Sequence, residues 1–527
     1  MSLQLAQALL AGKGVEHGCG HPRLLETHIS WVVLLGPFAY KIKKPLNLGF
    51  LDYSNLALRK ACCEEELRLN RRTAANLYLQ VIAFSGSPTE PQLTEAGATD
   101  PADVFEYAVQ MARFPQEQIL SNLASQQQLD DRIIDALALA IANFHNHLAA
   151  TVPPGFDCQA RILAPARDNF QHLTQLLQDH QQPQLERLRA WTEASYQQAS
   201  ANLAQRYADG YIRECHGDLH LSNILFDGDQ CLLFDAIEFN PQLYWIDTAS
   251  DLAFTVMDMN VQLGAAAANR LLNEYLARSG DYGLLAVFNF YLAYRSMVRA
   301  KVHAIQASQA GNDAAAHQQH CQAYLTQTQR YREPRPVGLI LMCGFSGSGK
   351  TTVARRLAAA TGFIHLRSDI ERKRLHGLAP EADSRQQGLD IYTAQASSLT
   401  KARLLQLTRQ IIDHGYGIIV DATFITADWR QSFLEIANQH SVTARIIHCQ
   451  VSAPAAKARL AERQGDASEA SYNQFVSQQA AFEAFRTTEL ALLWPLDTED
   501  PAAVDPLADA VSALFQTRQP AVNEDGI

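Results

Sequence analysis

At 527 residues, with 47% hydrophobic and 19% charged, the chain exceeds what one hydrophobic core serves and is expected to fold as two or three packed domains, not as a disordered polymer. Its net charge of −11 argues against broad, salt-driven binding to nucleic acid but leaves room for a local basic pocket. The nine cysteines are scattered with no Cys-x-x-Cys pair, and no apolar run has membrane-spanning length, so a reducing, cytoplasmic setting without disulfides, zinc or membrane partner is expected.

Met1–Arg23 reads as a short amphipathic helix and a polar loop. Trp31–Leu35 and Phe38–Lys43 are β-like runs joined by Gly36-Pro37, a hairpin pattern that puts Lys41 and Lys43 on one face, opposite Tyr40 and Ile42. A helix over Tyr53–Thr73 carries Glu64, Glu65 and Glu66. A strand lysine paired with a glutamate on the next helix can grip nucleotide phosphates, although such residues more often form solvated faces. Val81–Ala83 and Phe105–Arg113 read as further strands around the loop Ser85–Asp103, and Gln116–Tyr211 as helical. His145 and His147 end one of those helices; with no carboxylate near them in the sequence they read as packed or exposed rather than metal-bound.

Cys215–Asn240 is a chemical centre. It contains His216-Gly217-Asp218, then Asn223, then Asp235 at the end of the apolar run Cys231–Phe234. Asp227-Gly228-Asp229 is a hairpin signal that brings Asn223 and Asp235 beside Asp218. An Asp base with Asn and Asp ligands for Mg²⁺ is the set a phosphoryl-transfer site needs.

This pattern resembles the catalytic loop and metal-binding segment of aminoglycoside phosphotransferase and choline kinase-like enzymes, relatives of protein kinases. It is similar in particular to bacterial two-domain proteins in which such a domain precedes a P-loop domain, and the resemblance covers nearly the whole chain. It implies Asp218 as base, Asn223 and Asp235 as Mg²⁺ ligands, and Lys41 on the ATP phosphates with Glu66 as its partner, Lys43 and Glu65 being the alternatives. Two departures stand out: Thr27-His28-Ile29-Ser30 replaces a glycine-rich nucleotide loop, and Asp235 is followed by Ala236-Ile237-Glu238 rather than Phe-Gly.

Asp247 and Asp251 are expected to anchor the catalytic loop, and Ala265–Leu325 to complete a helical lobe. There Arg295, Arg299 and Lys301 read as a solvated basic face before an anion site. Thr326–Val337, with Pro334 and Pro336, reads as the linker.

Leu339–Cys343 is a short apolar strand pattern, followed by Gly344, Phe345, Ser346, Gly347, Ser348, Gly349, Lys350 and Thr351, which fit G-x-x-x-x-G-K-[ST] residue for residue. Thr352 follows, and Val353, Ala354, Leu357 and Ala358 recur at helical spacing before Gly362. Glycines let backbone N–H groups surround phosphate oxygens at a helix N-terminus, Lys350 adds charge for the β/γ-phosphates and Thr351 reaches Mg²⁺. The stretch predicts an ATP or GTP site.

Phe363–Leu366 predicts a strand with Asp369 near its carboxyl end, as a base or a helix cap, and Arg372 beside it for the acceptor. The spacing resembles polynucleotide kinase and zeta toxin-like kinases, a resemblance that leaves a terminal hydroxyl as the one nucleic-acid acceptor expected of the P-loop domain. Gly417–Val420 predicts a buried strand ending in Asp421, which would hold a Mg²⁺-bound water or orient substrate, or else serve as a structural Asp at a strand end. Ile446–Val451 is expected as the last strand, and the helix after Pro454 carries Arg459 and Arg463 as a lid over phosphates or a surface pair.

The expected organisation is α/β and α+β: a bilobal protein kinase-like domain over 1–325, a linker over 326–336, a P-loop NTPase domain with a parallel sheet flanked by helices over 337–500, and an acidic tail over 501–527. The expected function is ATP- and Mg²⁺-dependent phosphoryl transfer to a small-molecule hydroxyl in both domains. The alternative is a regulatory protein with a P-loop ATPase and a non-catalytic ligand-binding domain.

Overall fold

The structure is a computed structural model that describes residues 2–14, 22–49, 51–150, 152, 158–309, 313–462 and 467–515. The chain opens with helix α1 (Ser2–Leu10), strands β1 (Arg23–Glu26), β2 (Ser30–Leu35) and β3 (Phe38–Lys43), helix α2 (Leu56–Ala74), and strands β4 (Tyr78–Ser87), β5 (Glu90–Glu95) and β6 (Val104–Ala112). The six strands form one antiparallel sheet in the order β1-β2-β3-β6-β4-β5. Alternation sorts its faces: Val33, Leu35, Tyr40, Ile42 and Phe84 pack on Leu5 and Leu9 of α1. Leu34, Ala39, Val81, Ala83 and Val109 pack on Cys63 and Ala74 of α2. Strand β5 lies inside the expected loop Ser85–Asp103; it is an edge strand, and its Glu90, Gln92 and Glu95 hid the strand pattern.

Helices α3 (Leu120–Ser125), α4 (Asp131–His147), α5 (Cys158–Leu176) and α6 (Gln182–Ala208) follow. Short strands β7 (Ile212–Glu214), β8 (Ile224–Phe226) and β9 (Cys231–Leu233), helix α7 (Pro241–Tyr244), strand β10 (Trp245–Asp247) and helix α8 (Thr248–Leu263) then build the predicted chemical centre. β8 and β9 are the expected hairpin, and β10 pairs with β7. Helices α9 (Ala265–Ser279), α10 (Leu285–Gln309) and α11 (Ala314–Arg330) come next. α11 runs four residues past the expected linker start because Tyr324, Leu325 and Thr328 are buried, and Ser296 and Thr328 both bond the Tyr324 carbonyl. The expected basic face is likewise not a solvated one: Arg295 is buried, and Lys301 pairs with Asp168 at 3.0 Å.

The P-loop region comprises β11 (Gly338–Cys343), α12 (Lys350–Thr361), β12 (Ile364–Arg367), α13 (Ser368–Leu375), α14 (Ala394–Asp413), β13 (Ile418–Asp421), α15 (Ala427–Gln439), β14 (Thr443–Gln450), α16 (Ala453–Glu462), α17 (Tyr472–Ala481), α18 (Thr487–Leu490), β15 (Leu493–Asp497) and α19 (Val504–Phe515). Its five-stranded sheet is parallel, in the order β12-β13-β11-β14-β15. All six residues of central β11 are buried, as a strand covered on both faces requires. Two expectations are corrected here. β15, not Ile446–Val451, is the last strand, and residues 501–515 are not tail: α19 buries Val504, Val511 and Phe515 in the core.

Two compact units emerge, one of residues 1–165 and 203–258, the other of 166–202 and 259–527. The second contains α9, α10 and α11 together with the parallel sheet, and α9 packs on α12.

The place of α19 in the core is testable. Phe515 meets Phe363 edge-on at 5.0 Å and fills the space beside Gly338, where a Cβ would lie 2.1 Å from its ring. Phe515→Ala is therefore expected to cost about 3–5 kcal/mol, read as a lowered urea midpoint. A midpoint equal to wild type would show that α19 adds nothing to the core.

Candidate active sites

Lys41 and Lys43 occupy alternate positions of β3 and so share a face, where buried Glu66 of α2 meets both. Lys41 Nζ donates to Glu66 Oε1 at 2.7 Å and Lys43 Nζ to Oε2 at 2.8 Å. Glu65 instead holds Arg68, at 2.6 and 2.7 Å. The second partners separate the two lysines: Lys41 also bonds Asp235, whereas Lys43 bonds Glu238 and Tyr53. Burial opposes the charge on each lysine, but the carboxylates outweigh it and hold both pKa values well above the usual lysine range. Burial likewise opposes the Glu66 charge, and the two ammonium groups overcome it, drawing its pKa down.

Asp235 has a left-handed backbone, φ 63°. Its amide donates to Tyr78 Oη at 3.0 Å, and the next amide, of Ala236, donates to Asn70 Oδ1 at 2.9 Å. The Asp235 side chain is 44% exposed, unlike Lys43 and Glu66 at 0%. At the catalytic loop, Asn223 Nδ2 donates to Asp218 O at 2.9 Å and to Asp218 Oδ2 at 3.1 Å. The hairpin joins Asn223 to the Asp235 segment through Phe234 N, which donates to Asn223 O at 3.0 Å. Hence Asp218, Asn223, Asp235, Lys41 and Glu66 belong to one constellation.

The loop is held from beneath by α8. Asp251 accepts from His216 N at 3.0 Å and Gly217 N at 2.9 Å, Thr255 Oγ1 donates to Leu219 O at 2.6 Å, and Asp258 accepts from Leu221 N at 2.9 Å. Asp251 thus anchors the loop, while Asp247 pairs twice with Arg206, at 2.8 Å each. Thr255 and Asp258 escaped sequence reasoning, though their spacing from Asp251 puts all three on one helical face. His145 is packed, and the fold supplies the carboxylate its neighbourhood in sequence lacked: Asp251 Oδ2, 3.2 Å from its Nε2. Thr27–Ser30 is a tight turn between β1 and β2, closed by Thr27 Oγ1 accepting from Ser30 N at 2.9 Å.

In the P-loop site, Gly344, Gly347 and Gly349 have φ of 145°, 80° and 78°. A Cβ at Gly344 would lie 2.6 Å from Cys449 O, so only glycine fits the turn. Ser346 N donates to Gln478 Oε1 and Lys350 Nζ to Phe345 O, both at 2.8 Å. Ser348 Oγ is buried with no hydrogen-bond partner among the described residues. A glycine cradle, an orphaned hydroxyl and a lysine at a helix N-terminus fit a nucleotide's phosphates. Thr351 Oγ1 donates to Asp421 Oδ2 at 2.7 Å, and His365 Nε2 lies 3.2 Å from the same oxygen. Burial opposes the Asp421 charge, but His365, Lys350 and Arg367 pull its pKa far below the usual range. Burial also lowers the His365 pKa. A hydroxyl beside an ionised carboxylate is a fitting seat for Mg²⁺.

A cavity of about 1000 Å³ joins this cradle to Asp369, Arg372, Tyr392, Lys401 and Trp429. Asp369 is not the helix cap, which is Arg367; it lies in the first turn of α13. Arg372 donates to Ile391 O at 3.1 Å and Ser397 Oγ at 3.3 Å, with its guanidinium over the Tyr392 ring. Arg459 lines the cavity too, tied to Thr498 O at 2.7 Å. Thr352 also lines it, whereas Arg463 lies outside the described residues. His365, Tyr392, Lys401 and Trp429 had no motif to announce them.

Residues 62–288 match the phosphotransferase enzyme family and residues 339–485 the AAA domain family. The uncharacterized protein Mb2027c of Mycobacterium bovis is 29% identical over 84% of this chain and 87% of its own length. Among solved structures, a choline kinase from Cryptosporidium parvum is 10% identical with TM-score 0.40, covering 59% of this chain and 88% of that one. A sugar kinase from Janibacter is 23% identical with TM-score 0.26, covering 34% of this chain and 94% of that one. The chain therefore carries a region that matches the phosphotransferase enzyme family ahead of a region that matches the AAA domain family, and it is an ATP-dependent kinase.

Proposed function

We propose that the protein is a bifunctional phosphotransferase in which each domain moves the γ-phosphoryl group of ATP to a hydroxyl of a small-molecule acceptor. The observation that carries this reading is the single cavity shared by the P-loop, the Thr351–Asp421 pair and Asp369. A simple ATPase needs no carboxylate on the acceptor side, whereas a kinase needs one to take the hydroxyl proton.

In the P-loop domain, the amides from Gly344 to Gly349 surround the phosphates, Lys350 and Arg459 offset their charge, and Thr351 with Asp421 holds Mg²⁺. Asp369 accepts the acceptor's proton at a carboxylate oxygen, and Arg372 orients the acceptor. In the first domain, Lys41, steadied by Glu66, contacts the phosphates, Asn223 and Asp235 hold Mg²⁺, and Asp218 accepts the proton. Mg²⁺ supplies charge neutralisation on the phosphate oxygens. Everything else is positioning by the chain's own groups.

Lys350→Ala in the full-length chain is expected to lower P-loop turnover of ATP by about 10²–10³-fold, with an unchanged melting temperature. The measurement is made in an Asp235→Asn background to silence the other site. Retention of full turnover would refute the P-loop assignment.

The first domain is tested in a Lys350→Ala background. Asp218→Asn is expected to keep Mg·ATP affinity by calorimetry while ATP turnover falls about 10²–10⁴-fold. Asp235→Asn is expected to weaken Mg·ATP binding as well. If the Lys350→Ala protein binds no Mg·ATP at all, the first domain is a degenerate kinase fold and the bifunctional reading fails.

A further inference from the structure

β12 is an edge strand of the parallel sheet, so its outer backbone groups need partners from elsewhere. Asn273 of α9 supplies them. Its Oδ1 accepts from His365 N at 2.7 Å and its Nδ2 donates to Phe363 O at 3.1 Å, so one carboxamide does the work of a neighbouring strand. One turn earlier on the same helix, Asn269 Nδ2 donates to Ala359 O, at the end of α12, at 2.9 Å. The residue so pinned, His365, is 5% exposed and touches the Asp421 oxygen that Thr351 also bonds. A continuous hydrogen-bonded path therefore runs from α9 through His365 to the Thr351–Asp421 pair.

The carboxyl end of α9 fixes the acceptor side in the same way. Arg374 of α13 donates to Ala277 O at 2.6 Å, a cation at the negative end of a helix. Its guanidinium fills the space beside Gly280, where a Cβ would lie 2.5 Å from Nη1. α13 is the helix that carries Asp369 and Arg372.

We propose that α9, which lies within the segment matched by the phosphotransferase family, is a positioning element of the P-loop site: Asn273 fixes His365, and His365 fixes the Asp421 carboxylate for Mg²⁺. The inference rests on the reading of Thr351 and Asp421 as the Mg²⁺ seat. Neither His365 nor Asn273 lines the cavity, whereas Asp421 does; they act through Asp421. Groups that orient a metal-holding carboxylate typically contribute 10–100-fold to metal affinity, roughly.

The test uses the full-length chain carrying Asp235→Asn, with ATP affinity measured by calorimetry in Mg²⁺ and again in EDTA. Asn273→Leu keeps the branched heavy-atom shape and removes the carboxamide. It is expected to leave ATP affinity in EDTA within about 2-fold of the parent, while the gain conferred by Mg²⁺ falls about 10-fold. His365→Ala is expected to behave alike and to recover Mg²⁺ dependence when free imidazole is added, which a loss of general stability would not do. Equal losses in EDTA and in Mg²⁺, without imidazole rescue, would show a purely structural helix and overturn the inference. So would variants indistinguishable from the parent. A parent whose ATP affinity ignores Mg²⁺ would overturn the Mg²⁺ seat itself and this inference with it.

Discussion

Glu66 lies between two ammonium groups in a space water does not reach, and the arrangement of the first site follows from that. Removing a carboxylate and two lysines from water costs several kcal/mol per ion, regained only where every charge meets its opposite at close range. Here Glu238 and Asp235 complete the set, one for each lysine. The cluster is graded. Its inner end, Lys43 with Glu238 and Tyr53, is buried and acts as a strut, while its outer end, Lys41 with Asp235, opens towards solvent. Neither β3 nor α2 can slide along the other without leaving a buried charge unpaired, so the site is formed before any ligand arrives.

The P-loop site reaches the same preorganisation with less charge. Its grip is backbone, shaped by glycines at positive φ, and its buried carboxylate Asp421 collects a hydroxyl and an imidazole. Asp251 plays the corresponding part under the catalytic loop, where it collects two backbone amides. In each case one acid satisfies several donors at once, which turns a flexible loop into a fixed one.

How much of this was legible in the sequence depended on the range of the interaction. The glycine loop, the hairpin at Gly36-Pro37 and the Asp218–Asn223 spacing are local, so their residue types announce them. Glu66 was separable from Glu65 only by the resemblance, since consecutive residues of a helix face different ways and the sequence does not say which way is in. Glu238 looked like a mere departure from the usual Phe-Gly; it is the partner of Lys43, because this chain buries a second lysine beside the first. α19 carried an apolar stripe at Val504, Leu507, Val511 and Phe515, but the acidic residues around it drew attention to charge instead of period. β5 failed for the opposite reason, being polar at an edge where only one side needs to be apolar. His365 and Asn273 could not be found at all, because each matters only through distant contacts: Asn273 with Phe363, 90 residues on, and His365 with Asp421, 56 residues on.

The prolines at 334 and 336 mark where the chain lacks regular structure, and that is a different matter from where cores divide. Hydrophobic packing is indifferent to order along the chain; it joins whichever faces are apolar and complementary. α10 shows this, since its buried positions include Val287, Phe288, Phe290 and Tyr291, spaced too widely around the axis for a helix with a single apolar stripe. A helix buried all round needs cover on every side, and in the second unit α9, α10 and α11 are grouped with the parallel sheet rather than with the strands that precede them. The edge of that sheet adds a polar constraint to the apolar one: β12 leaves backbone groups that must be bonded, and Asn273 bonds them. Both constraints act on residues that motif-based division assigns to the preceding domain. A kinase-like helical segment is thereby made part of the P-loop fold, and separating the two along the linker would expose an apolar surface and an unpaired strand edge together.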